Sequence, residues 1–166
     1  MLPQCDILLI HPPLYLASTV IRCWKCDETM PVAALIASRV STSHIPETKE
    51  SACIPSFIEQ LPKLVLDFVR KRFPSFKLTF SKTTNSSYYA NACPQCGLIS
   101  GDHHLHRPPD GPFCASDEKA AGKFMVETMP QKEAILIRAG GRGMWGEEIL
   151  RFASRTDAEA GISPEL

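Results

Sequence analysis

The sequence predicts an α+β fold: an antiparallel sheet built on two Cys-x-x-Cys hairpins and packed against one long amphipathic helix. Three observations carry that expectation. β-leaning runs flank Cys23-Trp24-Lys25-Cys26, and the same order recurs around Cys93-Pro94-Gln95-Cys96-Gly97. The residues Phe57, Ile58, Leu61, Leu64, Val65, Phe68 and Val69 recur at helical spacing, with Lys63, Asp67, Arg70 and Lys71 on the opposite side. The 166 residues are 44% hydrophobic, which suits one compact core. A single domain is therefore expected over residues 1–166, with a helix–strand insertion at 54–87 and an α/β extension at 113–153.

Taken in order, Asp6 to Ile10 reads as a short strand that stops at His11-Pro12-Pro13, because proline has no amide to donate to a ladder. Ser18 to Arg22 and Val32 to Ile36 read as strands on either side of the first Cys-x-x-Cys. Ser38 to Pro55 lacks periodicity and is expected to be a connecting loop. The helix is expected over Phe57 to Phe73. Ser56 and Glu59 are placed for a capping box, and a start near Leu61 with Pro62 in the first turn is the alternative.

Pro74 ends the helix, and Phe76, Leu78 and Phe80 alternate with polar residues as a half-buried strand does. After a polar turn at Thr83 to Ser87, Tyr88 to Ala92 leads into the second Cys-x-x-Cys and Leu98 to Ser100 leads out. A short helix is expected near Asp117 to Val126 with Ser116 as cap, and a last strand over Lys132 to Arg138. Gly140-Gly141-Arg142-Gly143 is expected to turn, Glu147 to Ala153 to form a short helix, and the final dozen residues to fray.

Lysine plus arginine balance aspartate plus glutamate at 18 each. No whole-molecule field would draw such a chain onto nucleic acid or an anionic membrane. The apolar runs Ile7 to Ile10 and Val32 to Ala37 are far shorter than the roughly 20 residues of a membrane helix. The N-terminus lacks a basic segment followed by a long apolar stretch, so a cytoplasmic protein is expected. In that reducing compartment, seven cysteines point to metal ligation or burial rather than disulfides.

Cys23, Cys26, Cys93 and Cys96 are the expected metal ligands. Two intervening residues let each pair turn both thiolates toward one ion at about 2.3 Å, and two pairs close a tetrahedral shell. With no position left for water or substrate, the metal is expected to be structural Zn2+, with iron in the same shell as the alternative. Cys93-Pro94-Gln95-Cys96-Gly97 resembles the knuckle of zinc ribbons and rubredoxins, and Cys23-Trp24-Lys25-Cys26 is similar to the looser partner knuckle. With Tyr88-Tyr89-Ala90-Asn91-Ala92 before the second knuckle and Gly101-Asp102 after it, the arrangement also resembles uncharacterised bacterial zinc-ribbon-like proteins. That resemblance implies a fold element and no activity.

The expected function is that of an accessory module binding another protein, without a membrane partner. Trp24 is expected to pack in the core or at an edge, or, if exposed beside the metal, to anchor the partner. Nucleic acid is the second reading, through Arg70, Lys71, Arg72, Lys77 and Lys82 with Tyr88 or Tyr89. The third is a metal-dependent hydrolase or nuclease using Asp102, His104 and His106, with His103 beside them and Cys114 as a possible further ligand. Solvated or core histidines and a structural Cys114, Cys5 and Cys53 are the simpler account.

Overall fold

The computed structural model describes residues 5–43, 51–107, 109 and 111–156. It is mostly β, with 49% of the described residues in strands and 18% helical, and this overturns the expected fold class. Two sheets replace the single one. Among the described residues no long amphipathic helix packs on a sheet, and the helices are four short ones. None of them is long and apolar enough to cross a membrane.

The first sheet is organised by one long strand, Asp6–Arg22 (β1), paired along its length with Thr29–Thr42 (β2). The expected stop at Pro12-Pro13 does not occur. The register shifts between His11 and Leu14, so the two prolines are absorbed in a bulge and pairing resumes beyond them. Likewise β2 runs through Ser38 to Thr42, and Ile54–Gln60 (β3) begins within the expected loop; residues 44–50 of that loop lie outside the described residues.

The alternating faces of β2 enter two different cores. Met30, Val32, Ala34 and Ile36 join one with Cys23, Cys93, Leu105 and Phe113. Ala33, Leu35 and Ala37 join the other with Leu8, Ile10, Leu14 and Leu16. Burial on both faces is why Val32 to Ala37 reads as a continuous apolar run rather than an alternating one.

The expected helix start is replaced by β3. Ile54, Pro55, Ser56 and Ile58 are buried, and β3 pairs with Ile135–Gly143 (β8), for example Ile58 with Ala139. Tertiary pairing here overrides a helical period, and no Ser56–Glu59 capping box forms. The helix is Lys63–Arg72 (α1), with Pro62 at its N-cap and Val65 and Val69 buried. Proline suits that position because the N-terminal amides of a helix have no internal partner.

The strand β8 also pairs with β1, and Cys53, just before β3, exchanges both backbone hydrogen bonds with Ala37 of β2 at 2.9 Å. Strand pairing therefore returns on itself in the order β2, β1, β8, β3 and back to β2. The glycine run 140–143 is consequently strand, not turn. Gly141 pairs with Ser56, and a Cβ there would lie 2.6 Å from Ser56 Oγ.

The second sheet consists of Phe76–Ser81 (β4), Ser86–Ala92 (β5) and Ile99–Ser100 (β6) in that order. It is followed by Asp102–His106 (α2) and Glu118–Ala121 (α3). The cap of α3 is Asp117, not Ser116: its Oδ1 accepts the Ala120 N–H at 2.7 Å. The expected helix stops at Ala121, Gly122 and Lys123 turn, and the strand Met125–Thr128 (β7) follows, paired with β1. Gly146–Phe152 (α4) and Ser154–Thr156 (β9) end the described chain.

Candidate metal centre

The two knuckles belong to different sheets. The first joins β1 to β2 and the second joins β5 to β6. Both turn by the same backbone pattern. Cys23 N–H donates to Glu28 O and Asp27 N–H to Cys23 O, each at 2.9 Å; Cys93 N–H donates to Leu98 O at 2.8 Å and Gly97 N–H to Cys93 O at 2.9 Å. The residue four after the leading cysteine takes a left-handed backbone in both, with φ of 59° at Asp27 and 72° at Gly97. Glycine enters that region freely, and aspartate is among the few residues that tolerate it. Asp27 thus departs from the glycine of the second knuckle in side chain but not in conformation.

These turns bring four sulfurs together. Cys23 Sγ lies 3.6 Å from Cys96 Sγ, Cys26 Sγ lies 3.6 Å from Cys93 Sγ, and all four lie within 4.8 Å of one another. A disulfide requires about 2.05 Å. Four thiolates at about 2.3 Å from one ion stand about 3.8 Å apart along each edge of a tetrahedron. The cluster fits that shell, and its all-sulfur character suits zinc or iron rather than magnesium or calcium.

The electrostatics agree. Backbone N–H groups of Cys26 and Lys25 hold the Cys23 thiol down, to about 6. Cys26 goes the other way, to about 12: the Glu28 N–H favours its thiolate, but burial and the sulfurs of Cys23, Cys93 and Cys96 outweigh it. Crowded thiols resist ionising together, and a cation among them removes the conflict.

One residue that the sequence reading did not single out ties the sheets beside this cluster. Asn91, two residues before Cys93, is buried on β5. Its Oδ1 accepts the Ala33 N–H at 2.9 Å and its Nδ2 donates to Ala33 O at 3.0 Å. The side chain thereby acts as a length of neighbouring strand on the outer edge of β2, which pairs with β1 on its other side. Its signal in the sequence is a lone amide between Ala90 and Ala92, where a strand is otherwise apolar.

The Asp102, His104 and His106 grouping is divided by α2. Asp102 and His106 turn inward, one helical turn apart, while His103 and His104 are exposed. Asp102 Oδ2 accepts the Phe57 N–H at 2.6 Å, at a position where Phe57 holds a φ of 51°. Burial raises Asp102 to about 7 and lowers His106 to about 4. Their 3.9 Å approach is therefore a contact between neutral groups near pH 6, since desolvation acts against both charges.

Of the basic cluster, Arg72 is engaged within the fold, whereas Arg70, Lys71, Lys77 and Lys82 are exposed. Arg72 is paired with Glu127 and lies over the Phe68 ring at 3.6 Å, and Arg70 Nε donates to Phe76 O at 3.3 Å. Tyr88 is buried, its ring edge against Phe57 at 5.2 Å, and Tyr89 stacks on Phe76 at 5.8 Å. Neither tyrosine is presented as a stacking surface. Cys5 donates to Glu59 Oε1 at 2.9 Å, burial pushes Cys53 up to about 11, and Cys114 donates to His106 O at 3.5 Å, so all three have structural settings.

Trp24 is 73% exposed at the tip of the first knuckle. It borders a groove of about 500 Å3 whose other walls include Leu98 of the second knuckle, Tyr88, Thr84, His103 and His104. Compared with known protein families, with curated proteins and with solved structures, the chain gives no match.

Proposed function

We propose that this chain is an accessory module in which Cys23, Cys26, Cys93 and Cys96 bind one structural Zn2+ and the face around the knuckles engages another protein. The observation that carries the reading is the convergence of four sulfurs from two sheets within 4.8 Å. A closed four-thiolate shell offers no open coordination position, so the ion supplies cohesion and no catalytic chemistry. The chain's own residues preset the site: the Asp27 and Gly97 turns aim the thiols, and Asn91 holds the sheets at the right separation. The reading extends the likeness of the knuckles to zinc ribbons, and a reducing cytoplasm would keep the thiols available for metal.

Elemental analysis of protein purified without added metal or a metal-binding tag tests it. One zinc per chain is expected, together with loss of metal and a lower melting temperature in Cys93→Ser, because metal binding contributes to folding. Iron with visible absorption would replace this reading by electron transfer, and no metal in freshly reduced protein would end it.

A further inference from the structure

The four sulfurs of the metal centre are also placed to react with one another. Two Sγ–Sγ contacts of 3.6 Å divide them into two pairs with none shared, Cys23 with Cys96 and Cys26 with Cys93, and both pairs cross from one knuckle to the other. Closing a 3.6 Å contact to the roughly 2.05 Å of a disulfide moves each sulfur by only about 0.8 Å. Each pair joins a partly exposed cysteine, Cys96 or Cys26, to a buried one, Cys23 or Cys93. An oxidant therefore meets the outer sulfur first, with the inner sulfur already in contact behind it.

The surroundings hold this arrangement without the ion. Asn91 is bonded to Ala33 through both ends of its amide, and Cys23 and Cys93 share one apolar core with Met30, Leu105 and Phe113. These links keep the knuckles facing each other when metal leaves. Neither Cys5 nor Cys53 belongs to the cluster. Burial raises both thiols, that of Cys53 to about 11, so neither competes as a thiolate.

We propose that the cysteine cluster is a peroxide-sensitive zinc switch, which a hydroperoxide converts to the disulfides Cys23–Cys96 and Cys26–Cys93, releasing the ion while the two sheets stay joined. The proposal rests on the proposed structural zinc and names the regulation of that site. With hydrogen peroxide, an outer thiolate attacks one oxygen, the O–O bond breaks, and a sulfenic acid and hydroxide form. The inner thiolate then attacks the sulfenic sulfur, the S–S bond forms, and the sulfenic oxygen leaves as hydroxide. Each hydroxide takes a proton from solvent, so two cysteines lose two electrons and one peroxide becomes two waters. Because the inner thiolate is in contact, the sulfenic acid is captured before a second peroxide can carry it to sulfinic acid.

A metal ligand must be a thiolate, and the disulfides leave none in the shell. Pairing within each Cys-x-x-Cys would leave no covalent link between the sheets. Cross-pairing instead ties positions 73 and 67 residues apart, so covalent bonds take over the clamping role of the ion and restrict the unfolded chain.

The test is titration of the full, zinc-loaded chain with hydrogen peroxide, its zinc content having been measured beforehand. Release is followed with a chromogenic chelator, and disulfides are mapped by mass spectrometry of unreduced tryptic digests, in which cleavage after Lys25 separates Cys23 from Cys26. Expected are loss of the bound zinc for about two equivalents of peroxide, peptides linking Cys23 to Cys96 and Cys26 to Cys93, and recovery of zinc binding after dithiothreitol. The oxidised chain should melt above the reduced chain stripped of metal. Cys5→Ser should respond as the natural chain does.

Links between Cys23 and Cys26 or between Cys93 and Cys96, sulfinic or sulfonic acid in place of disulfides, or zinc retained under peroxide would overturn the proposal and leave the metal reading standing. A freshly reduced, folded chain without zinc ends the metal reading, and this proposal with it.

Discussion

Two buried polar residues carry consequences that can be measured one at a time. Asp102 holds its proton in the folded chain up to about pH 7, whereas the unfolded chain loses it near 3.8. The folded state binds more protons across that window, so this group's contribution to stability falls as pH rises from about 4 to about 7 and is level above it. His106 acts in the opposite sense, costing stability as pH falls from 6.5 toward about 4. Asp102→Asn keeps an acceptor for the Phe57 N–H and should gain on the natural chain as pH rises from 5 to 8, read by urea denaturation at fixed zinc; a difference independent of pH would refute the assignment. Asn91→Ala strands the Ala33 N–H and C=O without their partners, and its expected cost is about 3 kcal/mol. Asn91→Asp should also destabilise, because a second acceptor then faces Ala33 O.

Among the elements, the knuckles were legible and the long helix was not. A Cys-x-x-Cys pair has a local reason for its shape: the turn is closed within six residues by two backbone bonds, and Gly97 supplies its left-handed backbone. A Cβ at Gly97 would meet nothing within 4 Å, so Gly97→Ala tests the backbone alone and should cost about 1 kcal/mol, with Gly97→Asn costing less. The stretch 54–62 is different. Its apolar spacing fits a helix, yet β8 offers a complete edge to pair with, and the buried Ser56 faces a glycine there. Gly141→Ala should cost about 1–3 kcal/mol through the clash with Ser56 Oγ. In a Ser56→Gly background that penalty should shrink; an unchanged penalty would mean that β3 and β8 are not packed as described. Pro62 marked the true helix start, because a residue without an amide is tolerated at the first turn and not in a helix interior.

At the scale of the molecule, two sheets are joined by four sulfurs, by the Asn91 side chain and by shared apolar packing that includes Phe57 of β3 against Tyr88 of β5. Removing metal with a chelator should lower the melting temperature, and hydrogen exchange should rise first in the knuckles and β6. The β1–β8–β3 ladder, which is held by its own pairing, should change later. Equal and simultaneous loss of protection everywhere would show that the metal does not act as a local clamp. The sequence by itself determined the four thiol positions, their pairing into two turns and the neutral charge that argues against polyanion binding, because each depends on residue type and short spacing. Only the tertiary structure decided that the two knuckles lie on different sheets, that Arg72 and Tyr88 are engaged within the fold while Trp24 is left outside, and that residues 54–60 form a strand. Those outcomes depend on which distant surface each segment meets, and local periodicity carries no information about a partner 80 residues away in the chain.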